Sequence, residues 1–198
     1  MLTLSQILFA LLCFAVAWIA KKRAERPIDS AAEYLVVSLS LLAGGIAALG
    51  ELILDPAGSD SGTLQRMLTN LAVYTGAPML VTALLALARD YPISRPAWGR
   101  WLLGLIALFE FCRRMSYGEQ YTLVLALSLI AALIISLIWF KIVAVRSLMA
   151  LTTLLFGASV GAYYEFSLAS ALLLSSGSIL LLGIALLRLP ANNRATED

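Results

Sequence analysis

The chain has no histidine, and only two cysteines, Cys13 and Cys112, in 198 residues. Charge is scarce as well. Asp, Glu, Lys and Arg make up 13 % of the residues, about half the ~25 % usual in soluble proteins. Each shortage excludes a class of chemistry. Without histidine there is no imidazole to bind zinc or to serve as the base of a Ser–His–Asp arrangement. Two cysteines without CxxC spacing give neither a disulfide framework nor a thiolate metal site. Both lie within apolar stretches, where free thiols are expected. The 14 Lys and Arg residues are scattered and the net charge is only +2, so no basic stripe marks a nucleic-acid partner. No cofactor and no metal are expected.

Between the charges stand seven apolar runs, at 2–20, 31–54, 63–88, 98–112, 121–140, 147–164 and 168–187. About 20 apolar residues cross a ~30 Å hydrocarbon layer as a helix. The hydrophobic share of 61 % and the mean hydropathy of +0.91 exceed what a soluble core can use. The expected fold is an all-α integral membrane protein, a seven-transmembrane-helix bundle in contact with the lipid bilayer. It forms one domain over 1–189, with a short polar tail at 190–198.

Basic side chains collect in cytoplasmic loops. With the N-terminus outside, eleven of the 14 basic residues fall on the cytoplasmic side, leaving only Arg66, Arg113 and Arg114 outside. The expected topology is therefore N-terminus out and C-terminus in. A cleaved secretory signal carries its charge before the apolar stretch. Here Lys21, Lys22 and Arg23 follow it, so a retained first helix is expected. The compact loops and clean charge bias suggest a bacterial inner membrane.

Local features refine this plan. The segment DPAGSDSG at 55–62 reads as an outer turn, and DYPISRPAWG at 90–99 as an inner loop. Asp29 or Ser30 is placed to cap the second helix. Trp18, Trp98, Trp101 and Trp139 fall near inner helix ends, where indole favours the headgroup layer. Pro78 should kink the third helix. Small residues pair at Gly44/Ala48 and at Gly157/Gly161, faces that let helices approach closely. Internal packing is the plainer use of the second pair. A homodimer or another membrane protein is the alternative.

Charges inside a span are costly and usually face the bundle interior. Counted from Trp98 at ~1.5 Å per residue, Glu110 lies about 18 Å along its helix, deeper than any other acid. Arg113 and Arg114 follow one turn later. Arg66, Asn70 and Tyr74 recur every four residues, which places them on one helical face. Glu51, Glu110 and Glu165 each stand at the outward end of an outgoing helix, Glu165 beside Tyr164. The expected site is an outward polar pocket of Glu110, Arg113, Arg114, Arg66, Asn70, Tyr74, Glu51, Tyr164 and Glu165, for a small solute or ion. The plain structural alternative is that Glu110 pairs with its own arginines and Arg66 reaches lipid phosphate.

In helix count the chain resembles the microbial rhodopsins, yet the run 168–187 has no lysine for a retinal Schiff base. Histidine-dependent membrane hydrolases and rhomboid-like proteolysis are excluded by composition. The serines at 175, 176 and 178 are expected to hydrogen-bond within the bundle. The reading is non-enzymatic: a transporter, channel or substrate-capture subunit. The alternative is a non-catalytic sensor, assembly, immunity or accessory subunit. No glycine-rich nucleotide loop is present, so energy coupling by this chain alone would draw on an ion gradient.

Overall fold

The computed structural model describes residues 2–115, 117–165 and 167–189, except the side chains at 118–119 and 164–165. The tail expected at 190–198 lies outside the described residues. Seven helices follow one another: α1 Leu2–Ala24, α2 Ala31–Ile53, α3 Ser59–Arg89, α4 Arg95–Arg114, α5 Gly118–Trp139, α6 Val143–Glu165 and α7 Leu168–Arg188. No strand occurs among the described residues. In hydrocarbon every backbone polar group must be satisfied within the chain, and helices achieve this one segment at a time. Six of the seven are long and apolar enough to cross a membrane. The exception is α4, where Arg95, Arg100, Glu110, Arg113 and Arg114 interrupt the apolar run.

Short polar residues set the helix boundaries. Asp55 accepts the N–H of Ala57 at 2.9 Å, and its carbonyl accepts Ser61 Oγ at 2.6 Å. The turn closes so tightly that α3 starts at Ser59, inside the segment that reads as loop in sequence. At the other end of α3, Asp90 takes the left-handed conformation (φ 57°) and donates its N–H to the final carbonyls of the helix. Ser30 occupies the cap position of α2, but its side chain makes no capping bond. Ser167 does cap α7, accepting from the N–H of Ser170 at 3.2 Å.

Pro78 perturbs α3 through the turn that precedes it. Proline has no N–H to offer the carbonyl one turn back. The helix widens into a π turn over Ala72–Gly76, closed by a bond from Ala77 N–H to the Ala72 carbonyl. Such turns redirect the side chains they carry.

The helices pack in a circuit. α1 lies along α2 and α7, α2 along α3, α3 on α5, α5 on α6, and α6 on α7. α4 stands outside this circuit and touches mainly the π turn of α3 and the adjoining part of α5. Close helix approaches occur at small residues. A Cβ added at Gly45 would sit 3.0 Å from the Phe14 ring, and one at Gly183 would sit 2.8 Å from Val16 Cγ2. Gly44, by contrast, has 3.8 Å of clearance from Cys13.

One end of the bundle is basic and well packed. Tyr34, Val37, Val145, Met149 and Leu186 are fully buried there. Arg23 reaches across to α7 and donates to the carbonyls of Leu187 and Leu189, both at 2.6 Å. Lys22 lies over the Trp18 ring at 5.0 Å and Arg89 over Trp139 at 4.8 Å. Trp98 differs from the other indoles: it is 5 % exposed, and its Nε1 has no partner among the described residues. Elsewhere hydroxyls are absorbed within the bundle. Ser175 and Ser176 bond back to their own helix, and Ser178 donates to the Thr152 carbonyl at 3.2 Å.

Candidate functional site

At the opposite end a shallow cavity, widely open to the surface, lies between the turn after α2 and the start of α3. It measures about 350 Å³ and is lined by Pro56, Gly62, Gln65, Arg66, Thr69 and Asn70. The turn after α2 supplies one wall and the first turns of α3 the other. Residues 62, 65–66 and 69–70 recur at three- and four-residue spacing, so they share one helical face. Gly62 is required where it stands. Its missing Cβ would lie 2.6 Å from the Pro56 carbonyl oxygen.

Behind Thr69 stands Glu51. Thr69 Oγ1 donates to Glu51 Oε1 at 3.4 Å, and Gln6 Nε2 donates to Oε2 at 3.3 Å. Three helices, α1, α2 and α3, thus meet on one carboxylate. Both bonds are long and contribute modestly, but they hold the carboxylate beside the cavity wall. Arg66 donates from Nε to the Gly62 carbonyl at 3.1 Å and from Nη2 to Thr63 Oγ1 at 3.5 Å. The ion pairs among the described residues are Lys22–Glu25, Arg113–Glu110 and Arg114–Glu110. Arg66 is in none of them. A guanidinium at the rim, two carboxamides and a hydroxyl on the walls, and a carboxylate behind make an amphoteric surface. It can present donors to an anionic group and acceptors to a cationic or amide group.

The other residues expected at the site are held elsewhere. Glu110 is engaged by its own helix: Arg113 grips it with two bonds, at 3.0 and 2.7 Å, and Arg114 adds a third at 3.3 Å. This trio lies at the exposed end of α4, outside the cavity lining. Tyr74 leaves the Arg66–Asn70 face because the π turn redirects it. It stacks on Phe109 at 4.2 Å and Tyr121 at 5.6 Å, and its hydroxyl bonds Thr122 Oγ1 at 2.8 Å. The side chains of Tyr164 and Glu165 lie outside the described residues. The seven whose side chains are described therefore fall into two groups. Arg66 and Asn70 line the cavity with Glu51 adjoining it, while Glu110, Arg113, Arg114 and Tyr74 belong to the α4 side.

Gln6, Gln65 and Thr69 were not singled out by sequence reasoning. Gln6 left a signal, as the lone carboxamide in the run 2–20. Gln65 and Thr69 left only their spacing from Arg66 and Asn70. At the small-residue pair on α6, Gly157 has Ile130 at 3.9 Å, whereas Gly161 has nothing within 4 Å. Both cysteines are free thiols. Among the described residues no three His, Cys, Asp or Glu side chains gather closely enough to hold a metal ion.

No protein-family model matches the chain, and neither a curated protein nor a solved structure is detectably similar to it.

Proposed function

We propose that this chain is a non-enzymatic transporter, channel or substrate-capture subunit for a small solute or ion. Its polar cavity at the Arg66 end would face outward from a bacterial inner membrane. That orientation assumes that all seven helices cross, the charge-bearing α4 included, with the N-terminus outside, which places eleven of the 14 basic residues on the cytoplasmic side. The observation that carries the reading is the cavity of about 350 Å³ walled by Gln65, Arg66, Thr69 and Asn70. Polar groups are costly near lipid, and the two carboxamides here, Gln65 and Asn70, stand beside an arginine bonded to its own helix and a threonine bonded to Glu51. Arg66, in no ion pair among the described residues, offers a handle for an anionic group.

Native mass spectrometry of protein released gently from membranes tests this. A small molecule is expected to remain on the wild type and on Glu110→Gln, and to be lost from an Arg66→Gln/Asn70→Ala double variant. The same mass on all three proteins overturns the reading.

One observation favours a second reading, an accessory subunit of a larger membrane complex. α4 buries only Trp98 and Leu105 and leaves Leu103, Ile106 and Phe111 exposed outside the helix circuit. Gly99 and Gly104 also have open space beside them, enough for another helix to lie close. A co-purifying protein displaced by Leu103→Ala/Phe111→Ala would favour this reading over solute capture. A second copy of the chain docking on Gly157 and Gly161 would appear in the same spectra as a dimer.

A further inference from the structure

Glu33 sits in the first turn of α2 at the basic end, with 1 % of its surface exposed. Its Oε1 accepts the backbone N–H of Ile93 at 2.6 Å, tying the α3–α4 connection to α2. Its Oε2 is buried and has no hydrogen-bond partner among the described residues. Native interiors rarely leave such an oxygen unsatisfied, because its desolvation is uncompensated. The same residue borders a second cavity, of about 20 Å³. That volume holds about one water-sized particle.

The walls of this cavity are negative. Asp29 and Asp90 join Glu33 in the lining, and among the described residues no Lys or Arg contributes to it. Leu87 and Asp90 bring the C-terminal end of α3, with its negative pole, to the same place. There it faces the positive N-terminal pole of α2, so the helix dipoles offset one another and the carboxylates set the sign. Ser30 adds a hydroxyl that makes no capping bond.

We propose that this cavity binds one small monovalent cation, with Glu33 Oε2 as its innermost ligand. The acidic side chains do not converge closely enough to chelate an ion between them. Asp29 therefore acts through its field, and water completes the shell at the mouth. A single directly bound carboxylate suits a charge of +1, since calcium takes six to eight oxygens, several of them from carboxylates. The site lies at the far end of the bundle from the Arg66 cavity, and the inference does not depend on what that cavity holds. If both proposals hold, the chain has a solute site at one end and an ion site at the other.

The test is thermal unfolding of the detergent-solubilised chain in sodium, potassium or choline chloride at equal ionic strength. An ion bound only by the folded state raises stability with its concentration, whereas choline is too large for the cavity. Wild type is expected to melt roughly 2–8 °C higher in sodium or potassium than in choline. Glu33→Gln keeps an oxygen for Ile93 N–H and should abolish the difference. Asp29→Asn should shrink it. Equal midpoints in the three salts would mean that the cavity holds only water, and would overturn the proposal. So would a difference that survives in Glu33→Gln. Should that variant fail to fold, sodium-23 relaxation on the wild type decides: saturable line broadening supports the site, and its absence overturns it.

Discussion

Tyr74 stacks on Phe109 with ring centroids 4.2 Å apart, and this contact sets which way the end of α4 faces. Trp98 and Leu105 are buried on the same helix, and Phe109 continues their stripe. Glu110 then stands about 100° further round the helix, with its side chain 37 % exposed and clasped by Arg113. Exposed ion pairs of this kind contribute little to stability. Glu110→Gln is therefore expected to leave the melting midpoint and any molecule retained in the Arg66 cavity unchanged. Native mass spectrometry beside a thermal scan checks both. A ligand lost on this substitution would return the site to α4.

The same tyrosine joins α3 to α5 through its hydroxyl. Tyr74 and Thr122 share a hydrogen bond of 2.8 Å. Tyr74→Phe keeps the ring stack and removes that bond, so it should cost about 1 kcal/mol. Thr122→Val should cost at least as much, since Thr122 makes a further interaction besides this bond. The double variant should cost less than the sum of the two single ones, because the bond they share is lost only once. Unfolding midpoints of the four proteins complete the cycle. Additive losses would mean that the two hydroxyls do not act as a pair.

The helices were legible because lipid makes length and apolarity nearly sufficient. The run 31–54 became α2 at Ala31–Ile53, and 168–187 became α7 at Leu168–Arg188. The start of α3 was not legible, because Gly58, Ser59 and Asp60 have the composition of a loop whether or not a helix begins among them. Pro78 announced a disturbance but not its form, and only the π turn shows that Tyr74 parts from Arg66 and Asn70. Glu110 was judged by depth. Depth along an axis says nothing about direction around it, and that direction depended on Phe109, an ordinary apolar residue in sequence. Glu51 and Gln6 are 45 positions apart, so their meeting belongs to tertiary packing alone.

Arg23 closes the basic end. It donates to the carbonyls of Leu187 and Leu189 at 2.6 Å each and to the Tyr34 hydroxyl at 3.2 Å. Those carbonyls lie at the C-terminus of α7, where a cation is favoured and acceptors lack helical partners. Arg23→Ala should destabilise the chain by about 1–3 kcal/mol. Arg23→Lys should recover only part of this, since one ammonium cannot reproduce the planar fork that reaches both carbonyls. A thermal scan of the three proteins checks the order wild type, lysine, alanine. A lysine variant equal to wild type would show that charge alone closes this end.

Two glycines make opposite predictions from the same geometry. Gly183 on α7 faces Val16 on α1 so closely that an added Cβ would lie 2.8 Å from Val16 Cγ2. Val16 is 3 % exposed and, being β-branched, cannot turn its methyls away without strain. Gly183→Ala gains up to about 1 kcal/mol in helix propensity. It must also force two packed helices apart, at about 1–3 kcal/mol. The net expectation is a lower melting midpoint and weaker packing of α7 on α1, read as faster amide exchange at their contact. A Cβ added at Gly161 on α6 would meet no described atom within 4 Å, so Gly161→Leu should fold and melt no lower than the wild type. If the wild type carries a dimer peak in native mass spectrometry and Gly161→Leu loses it without a fall in midpoint, the open face of α6 is the seam between two copies. A dimer that survives the substitution places the seam elsewhere, and the exposed face of α4 is then the surface to probe.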